Sequence, residues 1–104
     1  MAWAILIIAG LFETAWAIGL KFTDGFTRPI PSILTILAMV LSMVLLGFAL
    51  KSLSVGTAYA IWTGIGTTGT VLLGIYLFDE PATVARLACI GLIVAGITGL
   101  KFVG

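Results

Sequence analysis

The chain has 104 residues, 62% of them hydrophobic and 9% charged, with a net charge of +1 and a mean hydropathy of +1.31. A soluble domain typically carries about a quarter of its residues as charge, so a fully water-exposed surface is excluded and lipid is the natural solvent. No His and one Cys exclude a zinc or iron–sulfur ligand set and a nucleophile–histidine–acid triad.

No GxxxxGK(S/T) phosphate loop occurs, and no run of basic residues suggests nucleic acid. The sequence is therefore expected to need no metal or cofactor and to catalyse no hydrolysis; it is not read as an enzyme. Cys89 lies in an apolar stretch and reads as a small buried hydrophobe.

The first apolar run, residues 2–20, is interrupted by Glu13 and Thr14 and ends at Lys21. It lacks a basic n-region and carries Glu13 where an apolar h-region would lie, so it reads as a span and not a signal peptide. Lys21–Arg28, with Asp24 and Gly25, is a polar turn. The second run covers 29–50, where Pro29 and Pro31 suit a helix start, and Lys51–Val55 is a short connection. The third covers 56–78 and stops at the Asp79-Glu80-Pro81 turn.

The fourth run is free of charge only from Leu87 to Leu100, about 21 Å of helix, which is short for a span. Arg86 and Lys101 at its ends can snorkel to the interfaces, and counting 84–103 restores about 30 Å. The expected architecture is an all-α integral membrane domain, residues 1–104, with four transmembrane helices. Gly-Leu-Lys-Phe occurs at 19–22 and again at 99–102, a match too short to indicate internal duplication.

With four spans, Lys51 and Lys101 lie on the side of the termini, and Lys21, Arg28 and Arg86 on the other. A difference of one residue gives the positive-inside rule almost nothing to act on. A chain that inserts both ways can form an antiparallel homodimer; a weak but sufficient bias would instead fix one orientation.

Glu13 is the only charge deep inside a span. An acidic side chain at mid-membrane costs roughly 2.5–3.5 kcal/mol on insertion scales, which makes it a functional candidate. Desolvation penalises the charged form of a carboxyl, so such a group can hold a proton or release it for a cation; a protonated Glu can also simply join helices. On a helix, Trp16 and Ala17 share its face one turn on, and Ala9 and Gly10 one turn back. Trp16 offers an aromatic wall and one N–H donor, or else belongs to packing or an interfacial belt.

Tyr59 and Trp62 stand at i and i+3 on the third span, where the hydroxyl can reach a carboxylate and the indole can line a pocket. Gly64 and Gly66 follow, and either a hinge or close helix packing explains them. Ser42, in the second span, is a small polar group able to hold the carboxylate. Gly91, Ala95 and Gly99 form a small-residue stripe on the fourth span, which suits it to dimerisation. Two copies in opposite orientations would supply the paired inverted halves that secondary transporters commonly use, and the two Glu13 side chains would titrate as a coupled pair.

These residues resemble the small multidrug resistance transporters over essentially the whole chain. The resemblance rests on the lone Glu in the first span, on Gly25-Phe26-Thr27-Arg28, and on the run Gly56-Thr57-Ala58-Tyr59-Ala60-Ile61-Trp62-Thr63-Gly64-Ile65-Gly66. Trp16-Ala17 and Gly99-Leu100-Lys101 look like the guanidinium exporter subtype; the quaternary-ammonium subtype usually shows Gly-Thr at the first of these places. The resemblance implies an antiparallel, dual-topology homodimer in a bacterial inner membrane that exchanges protons for guanidinium-type cations, with Glu13, Trp16, Ser42, Tyr59 and Trp62 at the binding site. Ser54 replaces a usual Pro, and Thr67, Thr68 and Thr70 lie where Ala or Gly is more usual.

Guanidinium is planar with paired N–H donors, which suits bidentate recognition by carboxylate. The alternatives are a multidrug exporter of hydrophobic quaternary ammonium cations, a dual-topology ion channel, which needs no titratable site, and a proton-carrying rotor subunit, which requires a ring.

Overall fold

The computed structural model describes residues 1–103. They form four helices: α1 (Ala2–Phe22), α2 (Pro29–Ala49), α3 (Val55–Phe78) and α4 (Val84–Val103). At 20 to 24 residues each, they are about 30–36 Å long, enough to cross a hydrocarbon core about 30 Å thick. All four are long and apolar enough to be membrane spans, so the chain is an all-helical, multi-pass membrane protein.

The helix ends follow local chemistry. Arg28 is extended (φ −97°, ψ 116°) before Pro29, which opens α2 as its first helical residue, a conformation that the proline ring favours in the residue before it. α3 ends where Asp79 turns left-handed at φ 52° and the Glu80 N–H returns to Gly74 O at 3.3 Å, satisfying a carbonyl of the last turn. α1 runs two residues past its expected end, because Lys21 continues the helix and lays its Nζ over the Phe78 ring, 4.8 Å from the centroid.

The first loop is tied by Thr23. Its hydroxyl donates to Leu20 O (2.7 Å) and accepts the Phe26 N–H (3.2 Å), and its carbonyl accepts the N–H groups of Thr27 and Arg28. This holds Asp24, Gly25 and Phe26 at φ values of 48°, 70° and 65°, where a non-glycine residue costs roughly 1–2 kcal/mol.

The helices alternate in direction. Phe22 and Phe78, at the C-terminal ends of α1 and α3, approach with ring centroids 5.6 Å apart. At the opposite end Lys101 of α4 lies over the ring of Trp3 of α1, at 5.5 Å. α1 packs against both α2 and α3, while α4 packs its backbone against α3 alone. The buried apolar core is small: Leu6, Ala9, Ala49, Ala58, Ile61 and Trp62. Much of what else is buried is hydroxylic: Thr14, Thr23, Ser32, Thr35 and Ser42. Large apolar side chains instead cover the outside, as lipid permits. The backbone extends 41 × 34 × 17 Å.

Candidate functional site

Small residues bring α1 and α3 together at the level of Glu13. A Cβ on Gly10 would collide with Ile65, one on Gly66 with the Glu13 carboxylate, and one on Gly69 with the Thr14 hydroxyl. The carboxylate therefore lies directly against the α3 backbone, in the space that any other residue at 66 would fill. Glu13 is only 9% exposed. Beside it, Thr14 Oγ1 lies 3.2 Å from Gly66 O and 3.3 Å from Gly10 O, so its proton ties α1 either to α3 or to its own preceding turn. Thr70 Oγ1 donates to the same Gly66 carbonyl at 2.6 Å.

Glu13 lines an open cavity of about 290 Å³ together with Trp16 and Ala17 of α1 and Thr63, Gly66, Thr67, Thr70 and Val71 of α3. Of the residues expected at the site, Glu13 and Trp16 thus share one wall. The Trp16 Nε1–H is buried and finds no acceptor among the described residues. A carboxylate between an aromatic ring and a row of hydroxyls can accept N–H donors from a planar cation or take up a proton.

Ser42, Trp62 and Tyr59 form a second group. Trp62 Nε1 donates to Ser42 Oγ at 2.9 Å, and Ser42 Oγ donates to Ala9 O at 2.7 Å. Ala9 O is also the helical acceptor for the Glu13 N–H, four residues on. Ser42 thus reaches the glutamate through the α1 backbone; its hydroxyl bonds no carboxylate here. The Tyr59 ring lies 5.5 Å from that of Trp62, tilted by 50°, and is 56% exposed. Its hydroxyl makes no hydrogen bond to Glu13 among the described residues. None of the three lines the cavity that holds Glu13.

Gly64 faces Ile93 and Ile97 of α4 as Gly66 faces Glu13, and α3 runs as one helix through both. Gly91, Ala95 and Gly99 are all exposed, and a Cβ on Gly91 or Gly99 would meet nothing among the described residues. Ile93 and Ile97 provide α4's contact with Gly64 instead.

The threonines of the cavity wall were not among the expected site residues. Their signal is the spacing 63, 67, 70, which places three hydroxyls on one face of a helix.

The family model described as Small Multidrug Resistance protein matches residues 1–93. Over 101 residues the chain is 63% identical to a protein of Salmonella typhi, 60% to one of Yersinia pestis and 59% to one of Citrobacter freundii, each named a guanidinium exporter. Each alignment covers 97% of this chain and 96–97% of the relative. With the fold, the membrane spans and these matches taken together, the chain belongs to the small multidrug resistance family.

Proposed function

We propose that the protein is a proton-coupled antiporter that exports guanidinium and related small guanidinyl cations across a bacterial inner membrane. Two antiparallel copies bring their Glu13 residues to one central site, and cation and protons occupy it in turn. The observation that carries this reading is the position of Glu13: the only charge deep inside a span, buried, and lining a cavity beside Trp16 and three threonines.

The cycle needs no separate coupling device. Deprotonated carboxylates bind the cation, protons displace it, and each occupant is the condition for the other's departure. A homodimer is favoured by the shape of one chain. In one copy α4 buries none of its residues, and the cavity that Glu13 lines stands open. The outward stripe of Gly91, Ala95 and Gly99 offers a surface on which another helix can approach closely. The substrate class follows from the names of relatives sharing about three-fifths of their residues with this chain, and from the match between planar N–H donors and carboxylate.

Proteoliposomes test the reading. With an imposed proton gradient, the wild type should accumulate guanidinium, and Glu13→Gln should abolish both this and the accompanying proton flux. Glu13→Asp keeps the charge but withdraws it by one methylene, so it should transport with reduced turnover. Proton-coupled uptake by the Gln variant would rule the assignment out.

A further inference from the structure

Threonines inside the helices of this chain divide by what their hydroxyls do. Thr14 and Thr70 point theirs to the carbonyl four residues back, at 3.3 and 2.6 Å, as does the exposed Thr98, at 2.8 Å. This is the usual recourse of threonine inside a helix. Thr63 does not take it: its Oγ1 is buried and has no hydrogen-bond partner among the described residues. A buried hydroxyl left so costs roughly 1–3 kcal/mol and calls for a reason. Thr68 has the same deficit but takes no part in the cavity wall. Thr63 lines the cavity that holds Glu13, and Thr67 lines it one turn further along α3.

The other buried, unpartnered polar atom in that wall, Trp16 Nε1, is a donor only and has nothing to offer a cation whose own polar atoms are all donors. A guanidinium has more N–H groups than one carboxylate can take, since a bidentate pair uses two of them. In a desolvated site each remaining N–H needs an acceptor, and a threonine hydroxyl has two acceptor lone pairs.

We propose that Thr63, with Thr67 one turn on, accepts the N–H groups of the bound cation that Glu13 leaves over, and so sets the preference for N–H-rich over N-alkylated guanidinyl cations. The inference rests on the proposed function and names the residues that make that site selective. It gives Thr63 a role in recognition, separate from the proton-exchanging role of Glu13.

The test compares guanidinium with tetramethylguanidinium, which keeps the charge and plane but loses most of the N–H donors. Binding of each to the full-length protein in detergent is measured at a pH where the carboxylates are free. Thr63→Val, isosteric without the hydroxyl, should weaken guanidinium binding about tenfold or more, as losing a hydrogen bond to a charged group implies. Its affinity for tetramethylguanidinium should change by less than about threefold, and Thr67→Val should move the same ratio in the same direction. Thr63→Ser, which keeps the hydroxyl, should hold guanidinium within about threefold of wild type. Should the Val variant fail to assemble, Thr63→Ala against Thr63→Ser gives the same comparison.

Equal losses for both cations, or a Ser variant as impaired as Val, would assign Thr63 to packing and overturn the proposal while leaving the exporter reading intact. A wild-type protein that binds tetramethylguanidinium but not guanidinium would overturn both.

Discussion

The Glu13 carboxylate occupies the space beside Gly66 that a side chain at 66 would fill. α1 and α3 approach through that glycine, and the same approach presses the acid against helix backbone at the edge of its cavity. Gly66→Ala must therefore displace either the carboxylate or the helix. Overpacking of this kind costs about 1–3 kcal/mol. We expect a comparable drop in unfolding stability in detergent and at least tenfold weaker guanidinium binding. Gly47→Ala, whose Cβ would meet nothing among the described residues and which lies outside the α4 stripe, is the control and should lower neither stability nor binding.

The Trp62–Ser42–Ala9 chain makes an asymmetric prediction. Ser42→Ala leaves the Trp62 Nε1–H buried without its acceptor, at a cost of about 1–3 kcal/mol. Trp62→Phe removes the donor but keeps Ser42 bonded to Ala9 O, so its hydrogen-bond cost should be smaller, whatever packing it disturbs. The double variant should then be less destabilised than the two singles added together. Strict additivity in denaturant unfolding would show that the indole–hydroxyl bond couples nothing.

Four helices were legible in the sequence because charges and prolines are so scarce that all but Glu13 lie in a loop or within a turn of a helix end. Pro29 opens α2 where the ring's missing N–H costs nothing, and Asp79 closes α3. Lys21 misled by two residues: it looks like an end, but a lysine can remain helical while its ammonium rests over an aromatic ring. Glu13 was legible as a candidate for the same reason of scarcity. Its surroundings were harder to read. Ser42 bonds a backbone carbonyl, and every residue has one, so no pattern of side chains points to Ala9. Thr63, Thr67 and Thr70 share a face by spacing, but a helical threonine can satisfy itself on its own backbone. The fold separates Thr70, which does so, from Thr63, which does not. Gly64 and Gly66 could have meant bending or packing from the sequence, and each has a close neighbour in α4 or α1.

The antiparallel arrangement can be tested through charge alone. Lys51→Gln with Lys101→Gln leaves no basic side chain on the side of the termini against three on the other. Arg28→Gln and Arg86→Gln with Ser52→Lys leaves three against one in the opposite sense. Each set should insert one way only. Neither should transport by itself, and the two co-expressed should recover activity. Full transport by one set alone would sink the antiparallel dimer.

The central claim is that cation and protons share the Glu13 site, and one equilibrium measurement addresses it directly. Guanidinium affinity of the purified protein is followed as a function of pH, with proton release recorded on saturation. Affinity should be level while the carboxylates are free and should weaken as pH falls into the range where they take up protons. The acid limb should approach a hundredfold loss per pH unit if both carboxyls of the pair must be free, and tenfold if only one must. Saturating guanidinium should release the same number of protons, because linkage makes the competition reciprocal. Glu13→Gln should show neither effect. A guanidinium affinity that stays constant across the titration, with no protons released, would contradict shared-site exchange and favour a channel.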